Sequence, residues 1–184
     1  AAMTLTSPGT AASPCVVQCV SSAGTVPPVS ADLATTATIS TTGANSITIT
    51  TPTSGALYFY GITFKAGDGA SAASIITGNA TQTIILNNCS LVLNNSSTAS
   101  RIAFNSAGGS TAIFIVLNNT TMTFGNASQG FTCGNLRFLW KNTANAVLGT
   151  IPTNLLLLAT RPSKYTFDGV DLSALGTNAI VQNS

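Results

Sequence analysis

Histidine and glutamate are missing from this chain, and charge of either sign is scarce: of 184 residues, six are Lys or Arg and four are acidic. Charged residues make up 5% of the sequence, against about 25% in a typical soluble domain. Without histidine there is no Ser-His or Cys-His nucleophilic pair. A zinc site would have to be built from cysteine alone. The acids are Asp32, Asp68, Asp168 and Asp171. Glycosidic chemistry of the usual kind needs two carboxyls flanking the scissile bond, and only Asp168 and Asp171 are close in sequence. On an extended strand, residues three apart point to opposite faces. With Arg161 they form the least implausible catalytic trio, and the reading is that no residue is catalytic. Asp68, in a Lys65-Ala66-Gly67-Asp68-Gly69 run, reads as turn chemistry.

Long hydrophobic runs are also lacking. The longest aliphatic stretch, residues 155–159, is far too short to span a bilayer. No basic segment followed by an apolar one opens the chain, so no secretory signal is visible. The net charge is +2, carried by scattered Lys65, Arg101, Arg137, Lys141, Arg161 and Lys164. Nucleic-acid binding needs such residues clustered. No phosphate loop or dinucleotide fingerprint occurs. The chain is therefore expected to use no cofactor and no metal, and to partner neither nucleic acid nor membrane.

Four cysteines are present, and they divide into two classes. Cys89 and Cys133 sit within strand-like runs and read as small packed residues. Cys15 and Cys19 fall in a Pro-rich segment. On a strand they would lie about 13 Å apart, too far for a disulfide, which requires Cα atoms within about 7 Å. A tight turn would bring them together, and a bridge to a neighbouring subunit is the other option, so this pair is the candidate disulfide.

What the chain does have is repetition. Leu86-Asn87-Asn88-Cys89-Ser90-Leu91-Val92-Leu93 returns 31 positions later as Leu117-Asn118-Asn119-Thr120-Thr121-Met122-Thr123-Phe124. Stacked rungs explain such a return, because an asparagine amide can both donate to and accept from its own copy in the next rung. Asn87, Asn88, Asn118 and Asn119 are thus read as a structural ladder, with Cys89 in the place of Thr120. Alternating apolar and hydroxyl residues, bounded by Gly, Asn and Ser clusters, recur at 36–40, 46–50, 56–64, 83–93, 112–124, 136–148, 155–158 and 165–172. Ile62, Leu91, Met122, Val147 and Val170 are aligned as equivalent positions.

Seven Asn-x-Ser/Thr sequons, at Asn79, Asn88, Asn94, Asn95, Asn118, Asn119 and Asn126, are read as by-products of this composition. Tyr58 and Tyr60 share one strand face and Trp140 is a large amphipathic side chain, so these three are the candidate interface residues. Residues 1–35, rich in Ala, Ser, Thr and Pro, read as an extended arm. Residues 36–184 read as the folded domain with a C-terminal cap.

The Leu-Asn-Asn starts, the apolar-x-apolar strands and the Gly/Asn/Ser turns over about residues 36–175 resemble the single-stranded right-handed parallel β-helix of the pectate-lyase-like superfamily. The fold expected is therefore an all-β right-handed parallel β-helix, with a β-sandwich or jelly roll as the alternative. By analogy with bacteriophage decoration, fibre and tailspike proteins, the resemblance implies a non-enzymatic structural virion protein of a tailed bacteriophage. Its partners would be other capsid or tail proteins and further copies of itself, such as a trimer. The alternative is a secreted or cell-surface β-helix that binds or degrades carbohydrate, such as a depolymerase fragment or adhesin.

Overall fold

In the computed structural model, which describes residues 1–6, 8–10, 12–50, 55–77, 83–105, 113–157 and 163–181, the chain winds as a parallel β-helix. Its first turn is β1 (Met3–Thr6), β2 (Cys15–Gln18) and β3 (Ala37–Ser40). The second is β4 (Ile47–Thr50), β5 (Ala56–Tyr60) and β6 (Ile62–Ala66). The third is β7 (Ile75–Thr77), β8 (Thr83–Asn87) and β9 (Ser90–Leu93). The fourth is β10 (Ile102–Asn105), β11 (Ile113–Asn118) and β12 (Thr121–Phe124). The fifth is β13 (Phe131–Gly134), β14 (Leu136–Lys141) and β15 (Val147–Gly149). β16 (Asn154–Leu157), β17 (Lys164–Asp168) and β18 (Ala179–Val181) complete the stack.

Up to β17 every third strand joins the same sheet, and β18 then closes the first sheet beside β16. The first sheet runs β1-β4-β7-β10-β13-β16-β18, the second β2-β5-β8-β11-β14-β17, and the third β3-β6-β9-β12-β15. All strand pairs among the described residues are parallel, and the one antiparallel contact is an isolated bridge between Val20 and Leu33. That excludes the sandwich alternative, whose sheets are antiparallel.

Period-two alternation now has a physical meaning. Inward residues stack on their equivalents, as in the column Phe59, Leu86, Leu117, Trp140 and Phe167, and the column Leu57, Ile84, Ile115, Phe138 and Tyr165. Phe59, Leu86, Leu117 and Trp140 are buried, and each such side chain stabilises the fold by roughly 1.5–3 kcal/mol. Thr and Ser at outward positions bond along the face: Ser90 Oγ lies 3.0 Å from Thr121 Oγ1, and Thr6 Oγ1 3.3 Å from Thr50 Oγ1.

Two sequence readings need correction. The Pro-rich start, read as an arm over residues 1–35, supplies the first two strands of the first turn: β1 pairs with β4 and β2 with β5. Its strands are four residues long and half-exposed, too short for their periodicity to stand out. The second correction concerns register. Leu91 pairs with Met122 and Met122 with Val147, as aligned. Phe64, however, pairs with Leu91 and Thr63 with Ser90, so Ile62 stands two positions from its expected partner. An even slip leaves every side chain on its correct face. Val170 lies beyond β17, outside the strands, partly buried against the core.

Candidate functional site

The corner between the second and third sheets is where the repeated asparagines sit. Pairing places Tyr60, Asn87, Asn118, Lys141 and Asp168 in one column at the ends of β5, β8, β11, β14 and β17. The next residue in each turn is Gly61, Asn88, Asn119, Asn142 or Gly169, and all five have positive φ, between 49° and 71°. A left-handed residue turns the chain sharply, and only Gly and Asn adopt that conformation readily. The sequence therefore alternates between two residue types for one backbone requirement.

The side chains then ladder. Asn118 Nδ2 donates to Asn87 Oδ1 at 3.1 Å, Asn87 Nδ2 donates to the Tyr58 hydroxyl at 2.9 Å, and Asn119 Nδ2 donates to Asn88 Oδ1. One position further on, the Cys89 thiol and the Thr120 and Thr143 hydroxyls each donate back to the carbonyl two residues earlier. Cys89 does stand in the place of Thr120, whose hydroxyl accepts the Cys89 N–H at 3.3 Å.

Trp140, expected at an interface, is instead fully buried. Its Nε1–H donates to Thr120 O at 2.8 Å, and its ring packs against Phe131, Phe138 and Phe167. Tyr58 and Tyr60 share the outer face of the second sheet, half-buried, with Phe59 between them turned inward. Tyr58 belongs to an outward column of Val16, Tyr58, Ile85, Val116 and Leu139, one residue per turn.

All four cysteines are free. Cys15 and Cys19 occupy one extended segment, which keeps them apart, and Cys19 Sγ accepts the Ala37 N–H at 3.3 Å. Burial raises the pKa of the Cys89 and Cys133 thiols and so disfavours the thiolate at both.

The four carboxylates are each engaged in holding local structure. Asp32 accepts the Val29 N–H at 2.9 Å and, from Thr25, the hydroxyl at 2.7 Å and the N–H at 3.1 Å, and these bonds hold its pKa below the usual range. Asp68 accepts the Gly43 N–H at 2.6 Å from the preceding turn. Asp168 pairs with Lys141 at 3.5 Å. Asp171 is lowered in pKa by the Ser173 hydroxyl and amide and the Asn145 amide. Asp168 and Asp171 thus turn to different partners rather than to a common point, and Arg161 lies outside the described residues.

The opposite corner, between the third and first sheets, holds a network that sequence reading missed. Buried Asn95 donates to Ala66 O and Ala73 O at 3.2 and 3.0 Å and accepts the Ser100 hydroxyl at 2.6 Å. Buried Gln129 donates to Asn95 O at 2.8 Å and accepts the Gly125 N–H at 2.8 Å. Three turns are stitched together by two amides. Of the sequon asparagines, Asn95 is buried, Asn88, Asn118 and Asn119 are in the ladder, and Asn94 and Asn126 donate to Gly67 O and Ser96 O. Asn79 lies outside the described residues. No family model, curated protein or solved structure matches this chain.

Proposed function

We propose that this chain is a non-enzymatic structural β-helix of a virion, of the kind found in tailed bacteriophage decoration, fibre and tailspike proteins. The observation that carries the reading is the use of the scarce carboxylates. Each of the four holds a turn or an ion pair, and no two converge on a shared site as acid and base would. What the molecule offers outward is a stiff, laddered surface with an apolar column on the second sheet, suited to packing against a neighbour. That neighbour is another virion protein or further copies of this chain, as in a trimer. The link from β-helix to virion is analogy of architecture and composition.

Mass spectrometry of purified particles of the virus encoding this chain tests the proposal: the chain should be present in amounts comparable to a capsid or tail protein. Cleavage of a host polysaccharide by the purified chain, abolished by Asp168→Ala, would overturn it in favour of a carbohydrate-active β-helix.

A further inference from the structure

Where the chain passes from the third sheet into the first, successive turns line a cleft of about 480 Å³. Arg101 precedes β10, Ser128 precedes β13, Thr132 lies on β13, and Thr153, Asn154 and Leu157 come from the β16 turn. The volume is within the range of about 300–1,000 Å³ that small-ligand sites occupy. Two features set this cleft apart from the rest of the surface.

The first is a break in an outward column. Ser46, Ser74, Arg101 and Gly130 occupy matching positions in successive turns, just before β4, β7, β10 and β13. Ser46 Oγ accepts the Ser74 N–H and Ser74 Oγ accepts the Arg101 N–H, both at 3.0 Å. At Arg101 a long cation replaces the serine, and the next turn has no side chain at all. A Cβ on Gly130 would come within 2.7 Å of Leu155 O, 2.8 Å of Asn154 O and 3.0 Å of Leu157 Cγ, so the close approach of β16 beside the cleft demands glycine there.

The second is charge. Arg101 is half-buried, and its Nη1 donates to Thr98 O at 2.6 Å and Ser100 O at 2.7 Å. Carbonyls fix the guanidinium in place but leave its charge uncompensated. The chain's four side-chain carboxylates are all committed elsewhere. Burial lowers the Arg101 pKa, as expected of a partly desolvated cation. The remaining polar lining consists of three hydroxyls and an amide, all neutral groups able to donate.

We propose that this cleft binds a compact oxyanion, a carboxylate or phosphate group, with the Arg101 guanidinium as counter-charge and Ser128, Thr132, Thr153 and Asn154 as neutral donors. An oxyanion on a planar guanidinium gains charge-assisted hydrogen bonds. The charge on Arg101 selects for an anion, and the hydroxyls add donors without a competing negative charge. The inference does not depend on the virion setting.

Titration of the full chain by calorimetry and amide NMR, with sodium phosphate in one arm and sodium glucuronate in the other over a sodium chloride background, tests it. Saturable one-to-one binding of at least one anion is expected, with shifts at the Arg101, Ser128 and Thr132 amides. Tighter phosphate binding would identify a phosphoryl ligand, and tighter glucuronate binding an acidic sugar. Arg101→Gln should weaken binding about tenfold or more. Because that change also removes the bonds to Thr98 and Ser100, Thr132→Asp provides a second reading: it keeps Arg101 and supplies a carboxylate inside the cleft, and should weaken binding similarly. Thr48→Asp, the same charge change on the same outer face three turns away, should leave affinity unaltered. The proposal is overturned if the native chain binds neither anion saturably, if binding survives both cleft variants, or if Thr48→Asp abolishes it equally.

Discussion

At Asn119 two physical demands meet on one side chain. Its backbone stands at φ 49°, a conformation that costs a residue with an ordinary Cβ about 1–2 kcal/mol, and its amide donates to Asn88 in the turn before. The two demands separate under substitution. Asn119→Ala loses the bond and keeps a Cβ in the left-handed region, so it should lower stability by about 1–2 kcal/mol. Asn119→Gly loses the same bond but adopts that region freely, and should cost less than about 1 kcal/mol. Urea unfolding of the two variants decides the matter, and equal losses would mean that the ladder bond outweighs the backbone. The same separation explains what could be read at this corner. Asn87, Asn88, Asn118 and Asn119 were legible because side chain and backbone both repeat. Gly61, Asn142 and Gly169 meet the identical backbone demand, but two of the three carry no side chain. The ladder therefore reads as ending where it only changes residue type, and Ile62 was misaligned for that reason.

At the scale of elements, the connection from β2 to β3 is the longest in the first turn, and a single carboxylate organises it. Asp32 gathers the Val29 amide and both the amide and hydroxyl of Thr25, leaving Val26 and Val29 exposed on the outside. The Asp32 pKa is depressed in the folded chain, so its contribution is complete above the ordinary aspartate value of about 3.9 and disappears as pH falls through the lower folded value. In an NMR titration, the Thr25 and Val29 amide protons should move together with a midpoint below that ordinary value. Asp32→Asn should abolish the movement; a midpoint at the ordinary value would show that the carboxylate is not holding the loop. This element also shows why residues 1–35 read as an arm. Pro8, Pro14, Pro27 and Pro28 mark breaks, and they do fall outside strands. Each intervening strand has only four residues, and the partners that make them strands, β4 and β5, lie far along the chain. The Arg101 cleft was illegible for a related reason: its lining comes from separate turns that no local pattern joins.

For the whole molecule, the parallel stack means that each turn is held almost entirely by the turns on either side, so stability should vary along the axis. The centre has the advantage. β8, β11 and β14 are each hydrogen-bonded on both edges, and the aromatic cluster of Phe104, Phe131, Phe138, Trp140 and Phe167 fills the core beneath the later turns. Among the described residues β2 is paired on one edge only, with three of its four residues exposed, and β18 is likewise paired on one edge, with Ile180 and Val181 exposed. Among the described residues there is one ion pair, Lys141 with Asp168, and no charge network that would offset that gradient. Hydrogen exchange read by mass spectrometry should therefore show protection rising from β2 to a maximum across β8, β11 and β14, then falling to β18. Peptides of β2 should exchange by local opening under conditions in which β11 peptides exchange only with global unfolding. Uniform protection from β2 to β18 would mean that the stack unfolds as one unit, and that coupling between neighbouring turns exceeds the difference between an edge and the centre.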